Sequence, residues 1–156
     1  MPKVSVLIIT YNQHKFIRQA IDSVLAQKTN FPIEILVGDD FSTDGTREII
    51  QEYERQHPGL VIGVLHPHNM GKNGGINFLE TLKRAKGEYY ALIDGDDYLT
   101  DPLKLQKQAD LLDAHPDYSM TFHNALITYE DGSPSYILNG PDMKPYYTVE
   151  DVPEQH

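Results

Sequence analysis

The stretch IEILVGDDFSTDGT, residues 33 to 46, joins an apolar run to two adjacent aspartates and then to a cluster of turn-forming residues. Ile33 to Val37 is predicted to be a strand buried on both faces, because such strands carry continuous apolar residues rather than an alternating pattern. A helix is predicted from Asp44 onward. Asp39 and Asp40 therefore lie at the end of a buried strand, where neighbouring carboxylates repel each other unless a ligand compensates their charge.

The same order of strand, loop and helix repeats along the chain. Strands are predicted at residues 4–9, 33–37, 60–65 and 89–93, and helices at 14–27, 44–57, 76–85 and from 101 to just before Pro116. Strands that alternate with helices imply right-handed crossovers and a mainly parallel sheet covered by helices on both faces. The predicted class is α/β. Residues 118–129 are expected to be extended, followed by a turn at 131–132.

Composition narrows the possible functions. The 156 residues include 23 acidic and 13 basic side chains, a net charge of -10, and no cysteine. Such a surface repels phosphate backbones, so no nucleic-acid partner is expected. The missing cysteines exclude disulfides and thiolate metal sites. No segment approaches the roughly 20 apolar residues of a membrane helix. The expected location is the cytoplasm, with a peripheral position at the inner face of the membrane also open.

A second acidic cluster follows the strand predicted at 89–93. Asp94, Asp96 and Asp97 stand in the motif DGDD. Ligands of open parallel sheets collect beyond the carboxyl ends of the strands, so the five carboxylates of the two clusters are expected to share one rim. A divalent cation would relieve their repulsion, and hard oxygen ligands suit Mg²⁺ or Mn²⁺. The cation could in turn hold the diphosphate of a ligand.

Some of these residues also have a purely structural interpretation. Ser42, Asp44 and Gly45 favour turns and helix caps, and we favour that role for them. An EF-hand calcium loop is set aside for DDFSTDG, because a strand rather than a helix precedes it and Gln51 stands where the loop needs glutamate.

Other polar and aromatic positions are weaker signals. Lys72 lies in the glycine-rich segment NMGKNGG before a helix, where it either faces an anion or is simply solvated. Tyr11 follows the first strand, where it either stacks on a base or covers the edge of the sheet. The pair His66 and His68 has a spacing that could hold a metal, but such a pair in a loop is usually incidental.

Four segments of the chain closely resemble the nucleotide-sugar-binding part of family-2 inverting glycosyltransferases, which have the GT-A fold. These segments are VSVLIITYNQHKFIRQAIDSVLAQ, EILVGDDFSTDGT, NMGKNGGINF and GEYYALIDGDDYLTDPLKL. They occur in the family's order and cover roughly residues 3 to 120. The resemblance implies a GT-A domain over residues 1–130, truncated before the acceptor and base region, and an irregular tail at 131–156.

The resemblance also assigns residues to the nucleotide. Thr10 and Tyr11 match residues that line the nucleotide pocket after the first strand. Asp39 matches the aspartate that hydrogen-bonds the nucleobase, and Asp40 would support the ribose end. Lys72 falls in the loop that covers the nucleotide.

The DGDD motif matches the family's DxD motif. Asp94 and Asp96 correspond to its two acids, which handle ribose and metal. Asp97 would share the metal with Asp96. The implied cofactor is Mg²⁺ or Mn²⁺.

The implied reaction transfers a hexosyl or related sugar from a nucleotide-diphosphate sugar, with a UDP-sugar expected, to an acceptor hydroxyl with inversion. The expected acceptor is a glycan or a lipid-linked molecule in polysaccharide or glycoconjugate biosynthesis. A metal would stabilise the departing diphosphate, and a carboxylate base would take the proton of the acceptor.

The chain departs from the family where the base should be. Family members carry it in a Glu-Asp motif well downstream of DxD, and we assign neither Glu130-Asp131 nor Glu150-Asp151 to this role. The general base is expected beyond the end of the chain. The chain is therefore expected to be either a donor-binding domain cut from a longer enzyme or a naturally short homologue, and the fragment alone is expected to be inactive. A non-catalytic nucleotide-sugar-binding module is the alternative. A phosphoacceptor domain is disfavoured, because it would need acidic residues where Thr10, Tyr11 and Asn12 stand.

Overall fold

The computed structural model describes residues 1–138. The chain divides into two compact units, Met1–Asp117 and a second that begins at Tyr118, so the first unit ends before the boundary predicted at residue 130. The strands of the first unit are β1 Val4–Thr10, β2 Ile33–Asp39, β3 Val61–Leu65 and β4 Tyr89–Asp94, and its helices are α1 Ile17–Leu25, α2 Thr46–Gln56, α3 Gly75–Leu82 and α4 Lys104–Ala114. Within residues 1–138, no helix has the length and apolar character needed to cross a membrane.

The four strands form one parallel sheet in the order β3-β2-β1-β4. Thr10 at the end of β1 is paired with Asp39 at the end of β2, and Ile9 is paired with Asp94 at the end of β4. The carboxyl ends of these three strands are therefore level with one another. This confirms the predicted α/β class and brings both acidic clusters to the same edge of the sheet.

The main core lies between one face of the sheet and helices α1, α2 and α4. Continuous apolar runs make β1 and β2 fully buried strands, and each fully buried aliphatic side chain contributes roughly 1.5–3 kcal/mol relative to an exposed one. The apolar stripes of the helices pack against them. The buried residues of this cluster include Val4, Val6, Ile8, Ile17, Ile21, Val24, Ile35, Val37, Ile49, Ile50, Ile93, Leu105 and Ala109.

The opposite face of the sheet is covered by α3, which lies over β1 and β2. Its contact depends on Gly38, because a Cβ there would overlap Thr81 Oγ1 and lie 2.5 Å from Asn77 Oδ1. The Asn77 Nδ2 group donates a 2.8 Å hydrogen bond to the carbonyl of Gly38. A glycine at this point of β2 thus lets a polar helix face approach the backbone closely.

The loop between β2 and α2 uses its polar residues for its own structure. Asp44 Oδ1 accepts hydrogen bonds from the backbone N–H and the hydroxyl of Thr46, at 3.1 and 2.6 Å. The Ser42 hydroxyl accepts the Asn12 N–H at 2.8 Å. Gly45 has a φ of 98° immediately before the helix. The structural interpretation of Ser42, Asp44 and Gly45 is therefore confirmed.

Helices α1 and α4 begin three residues later than their sequence patterns predicted, and α2 begins two residues later. Residues from His14 form a turn, and α1 starts only at Ile17. The carboxylate of Asp101 accepts the Leu103 N–H at 2.9 Å, which closes a turn before α4 starts at Lys104. In both cases, residues that the apolar pattern predicted to be helical form a turn instead.

The described part of the second unit is a short hairpin. Its strands β5 Leu126–Ile127 and β6 Tyr136–Ile137 pair antiparallel. Gly132, with a φ of 79°, donates to the carbonyl of Tyr129 at 3.3 Å, so the predicted turn is present. Strand β6 lies in the segment 131–156 that was expected to be irregular. Glu150-Asp151 lies outside the described residues.

Candidate functional site

A cavity of about 510 Å³ opens at the carboxyl ends of β1, β2 and β4. That volume lies in the range typical of small-molecule sites. Its walls come from three separate parts of the first unit, namely the end of β1, the strand ends that carry the aspartates, and the loop leading into α3. The lining residues are Ile9, Thr10, Tyr11, Gln13, Asp40, Asn69, Gly71, Lys72, Asn73, Gly74, Asn77, Asp94 and Asp96.

The DGDD segment is held against the end of β1 by Gly95. The Gly95 N–H donates to the carbonyl of Ile9 at 2.8 Å. A Cβ at Gly95 would overlap Gln13 Oε1 and lie 2.8 Å from the Thr10 Cβ. Only glycine fits this approach, which brings the flanking Asp94 and Asp96 into the lining of the cavity.

The three carboxylates of the DGDD segment repel one another, and the effect is visible at Asp94. Partial burial raises the pKa of Asp94, and the nearby negative charges of Asp97 and Asp96 raise it further. A bound cation would remove this repulsion. Within residues 1–138, no three histidine, aspartate or glutamate side chains are grouped closely enough to hold a metal ion. Two carboxylates of the segment, Asp94 and Asp96, line the same cavity, and a cation of the Mg²⁺ type commonly uses one or two carboxylates together with phosphate oxygens and water.

Asp39 does not line the cavity. Side chains alternate between the two faces of a strand, and Asp39 follows Val37 onto the face that α2 covers. Its side chain is 0% exposed, its Oδ2 accepts the Ser42 N–H at 3.1 Å, and Arg47 Nη1 lies 3.2 Å from that oxygen. Among the described residues, Asp39 Oδ1 has no hydrogen-bond partner. Asp97 is also absent from the lining, so the cavity gathers three of the five expected carboxylates.

Asp40 lies on the cavity wall and fixes the loop beside it. Its Oδ1 accepts the Met70 N–H at 2.6 Å, and its carbonyl accepts the Asn69 side-chain amide at 3.2 Å. The loop continues through four residues with positive φ, at 69° for Gly71, 55° for Lys72, 50° for Asn73 and 79° for Gly74. This curvature brings Lys72 to the cavity, on the wall formed by the loop.

The end of β1 supplies the remaining wall. Tyr11 lines the cavity with 51% of its surface exposed. Thr10 is buried, and its hydroxyl forms a 2.8 Å hydrogen bond with Gln13 Oε1. Thr10 and Tyr11 thus line the same cavity as Asp40, Asp94 and Asp96, and their contact with a nucleotide stays a prediction.

Sequence reasoning missed the amide side chains Gln13, Asn69, Asn73 and Asn77, which all line the cavity. The signal was present, since three asparagines recur every four residues in NMGKNGGIN. Asn77 also accepts a hydrogen bond at 3.0 Å from the ring of buried His66, because its amide nitrogen is already committed to Gly38. His66 thus has a structural role, and the weak possibility of a His66 and His68 metal site gains no support.

Comparisons with known sequences agree with this architecture. The profile of Glycosyl transferase family 2 matches residues 5–146. The uncharacterized protein Rv1520 of Mycobacterium tuberculosis is 47% identical over 130 residues, which cover 83% of this chain and 37% of that protein. TuaG of Bacillus subtilis, whose name refers to a teichuronic acid biosynthesis glycosyltransferase, is 33% identical and is matched over 93% of this chain and 56% of its own length. The chain thus spans only part of these relatives.

Solved structures give the same result. TarS 1-349 of S. aureus in complex with UDP-GlcNAc superposes with a TM-score of 0.62 at 33% identity, over 73% of this chain and 32% of that one. Mannosyltransferase PcManGT from Pyrobaculum calidifontis, in complex with GDP-Man and Mn²⁺, superposes with a TM-score of 0.56 at 28% identity, over 65% of this chain and 29% of that one. With the parallel sheet, the cavity at its carboxyl edge and the profile match in agreement, the chain belongs to glycosyl transferase family 2 and has the GT-A fold.

Proposed function

We propose that this chain is the donor-binding part of an inverting glycosyltransferase that uses a nucleotide-diphosphate sugar, with a UDP-sugar as the expected donor. The observation that carries the proposal is one cavity lined by Asp40, Lys72, Asp94 and Asp96. Such a donor needs three kinds of group: a carboxylate that accepts the N–H of the nucleobase, a cationic side chain near the phosphates, and an acidic pair that holds a metal. The UDP-GlcNAc bound by TarS supports the class of ligand.

Each wall of the cavity has a distinct part in donor binding. Asp40, rather than Asp39, accepts the N–H of the nucleobase, since its carboxylate lies on the wall and Asp39 is enclosed beside Arg47. Tyr11 and Thr10 bound the nucleoside side of the cavity. Lys72 approaches the diphosphate, where a lysine acts as a mobile point charge.

The acidic end of the cavity suits the metal. Asp96 holds Mg²⁺ or Mn²⁺ with Asp94 beside it on the ribose side, and Asp97 completes the acidic surroundings. When bound, the metal supplies Lewis-acid stabilisation of the departing diphosphate. The Mn²⁺ in the PcManGT complex supports a divalent cation in this family. Gly95 keeps both aspartates at the end of β1 and thereby sets their position relative to the nucleoside.

Transfer with inversion needs a carboxylate that takes the proton of the acceptor hydroxyl. Glu130-Asp131 belongs to the hairpin turn of the second unit, and we assign no base within the described residues. The proposed reaction moves a hexosyl or related sugar to a glycan or lipid-linked acceptor at the cytoplasmic side of the membrane. The relative TuaG, which is named for teichuronic acid biosynthesis, supports a role in making a glycan.

The first test is thermal unfolding with Mn²⁺ and UDP together. A ligand that binds only the native state adds about 2.7 kcal/mol at 100 times its Kd, so the Tm should rise. Asp96→Asn should abolish the part of the shift that depends on Mn²⁺ while the fold survives. Asp117→Asn, an exposed acid outside the cavity, is the matched control and should behave like the parent chain. An unchanged Tm with Mn²⁺ and a panel of nucleoside diphosphates would overturn the proposal.

The alternative is a binding module that holds the nucleotide sugar without transferring it. Slow Mn²⁺-dependent release of free sugar from a bound UDP-sugar would distinguish an enzyme from such a module, and tight binding without any turnover would favour the module.

A further inference from the structure

Gln13 is an uncharged residue of the cavity wall, next to the acidic DGDD segment. It lies in the turn between β1 and α1, and it is a half-buried member of the lining. Its Oε1 occupies the place that a Cβ of Gly95 would take. Gln13 therefore lies between Thr10 at the end of β1, on the proposed nucleoside side of the cavity, and the two aspartates that flank Gly95.

The position of Gln13 is fixed through its backbone and through one end of its side chain. Its N–H donates to Thr46 Oγ1 at 3.0 Å, and its carbonyl accepts the N–H groups of Phe16 and Ile17, both at 3.0 Å. The Thr10 hydroxyl donates to Gln13 Oε1 at 2.8 Å. Because Oε1 and Nε2 are bonded to the same planar carbon, this hydrogen bond also limits the directions that the two N–H groups of Nε2 can take.

The amide nitrogen is the end of the Gln13 side chain that is left for a ligand. Among the described residues, Gln13 Nε2 donates no hydrogen bond within the chain. Nε2 can only donate, whereas the carboxylates of Asp94 and Asp96 in the same lining can only accept when they are ionised. A sugar hydroxyl both donates and accepts. A hydroxyl bound between a carboxylate and Gln13 would therefore have its proton and one of its lone pairs satisfied.

We infer that Gln13 is a specificity residue for the ribose of the donor, and that its Nε2 donates to a ribose hydroxyl which in turn donates to Asp94. The inference rests on the proposed function and deepens it by adding a hydrogen-bond donor to the ribose side of the cavity. A phosphate oxygen is the less suitable partner, because it can accept from Gln13 but has no proton to donate to Asp94. One such hydrogen bond contributes roughly two- to twelve-fold in affinity.

Removing either the hydroxyl or the amide should reveal this contact. With Mn²⁺ present, the parent chain should bind UDP more tightly than at least one of 2′-deoxy-UDP and 3′-deoxy-UDP. Gln13→Glu keeps an oxygen for the Thr10 hydroxyl but loses the N–H donors, so it should reduce that preference for UDP by roughly two- to twelve-fold. Isothermal titration calorimetry measures the three affinities and hence their ratios. The ratio is the decisive quantity, since the added charge of Gln13→Glu acts on all three diphosphates alike.

Two further variants separate the amide from charge and from packing. Gln13→Met has a similar length and no N–H, so it should lower the same ratio without adding a charge. Gln19→Glu is the matched control, because it makes the same exchange at an exposed residue of α1 outside the cavity, and it should keep the ratio of the parent chain.

The contrary outcomes are equally distinct. If the Gln13 variants weaken UDP and both deoxy analogues by the same factor, a distorted wall or a contact with the diphosphate replaces the ribose contact. Equal affinities of the parent chain for all three ligands would refute the inference without any variant. If the parent chain binds no nucleoside diphosphate at all, the proposed function fails first, and this result is distinguishable from a loss of ribose discrimination.

Discussion

At the residue scale, the two adjacent aspartates of the opening stretch have different surroundings. Asp39 continues the strand alternation and is buried beside Arg47, whereas Asp40 lies past the strand end and lines the cavity. The sequence predicts that both lie at one rim, but it cannot separate them, because the partner of Asp39 comes from α2. A buried ion pair becomes visible only when the helix is in place.

Exchanging each aspartate for asparagine should separate these roles. Asp39→Asn leaves Arg47 without its buried counter-charge, so the free energy of unfolding should fall by about 2–3 kcal/mol. Asp40→Asn keeps an oxygen for the Met70 N–H but loses the charge, so it should weaken UDP binding with little loss of stability. Urea unfolding and calorimetry measure the two quantities. A stable Asp39→Asn variant that no longer binds UDP would return the base-reading role to Asp39.

Gly95 offers a second residue-scale prediction. In Gly95→Ala the new methyl group would overlap Gln13 and crowd Thr10, which displaces Asp94 and Asp96. We expect a loss of about 1–3 kcal/mol of stability, as for other overpacked sites, together with weaker Mn²⁺-dependent UDP binding. Gly75→Ala is the control, because nothing lies within 4 Å of a Cβ there and its φ is that of a helix. Equal behaviour of the two variants would show that Gly95 does not position the acidic pair.

At the element scale, the ends of the strands were predicted within two residues, whereas α1 and α4 begin three residues later than predicted. Apolar runs such as Val4 to Ile9 are local signals that packing preserves. The starts of α1 and α4 depend on turns, and the placement of α3 depends on Gly38, which is distant in the sequence. Contacts of that kind leave no periodic pattern in the sequence. The lining amides Asn69, Asn73 and Asn77 do recur every four residues, but the recurrence alone does not show that they face a cavity.

The contact between α1 and α2 makes a pH-dependent prediction. The Tyr53 hydroxyl donates to Asp22 at 2.7 Å, and burial together with that hydrogen bond raises the pKa of Tyr53 to about 12. An unfolded tyrosine ionises near 10. The stabilising contribution of the neutral phenol is therefore complete below about pH 10 and is lost as the pH rises through 12. Tyr53→Phe should show a shallower loss of stability between pH 10 and 12 in urea unfolding. A slope equal to that of the parent chain would contradict this role.

At the scale of the whole molecule, the negative net charge of the chain disfavours the anionic ligand that the cavity is proposed to bind. A chain of net charge -10 repels a nucleoside diphosphate, which is itself an anion. A cation at Asp94 and Asp96, with Lys72 on the loop, would reverse the local sign where the phosphates bind. The family resemblance made this cavity predictable, because its motifs lie at the carboxyl ends of strands, where open parallel sheets bind their ligands.

Every residue that lines the cavity lies within Met1–Asp117, the first compact unit. A shortened chain of residues 1–117 should therefore unfold in one cooperative transition and bind UDP with Mn²⁺ within about three-fold of the full chain, because all the groups that contact the donor are retained. Calorimetric unfolding and titration of both chains measure this, and Asp96→Asn in the short chain is the control for specific binding. A short chain that folds cooperatively but loses UDP affinity would place part of the donor site after residue 117. In that case the cavity formed by the first unit would be only one portion of the donor site.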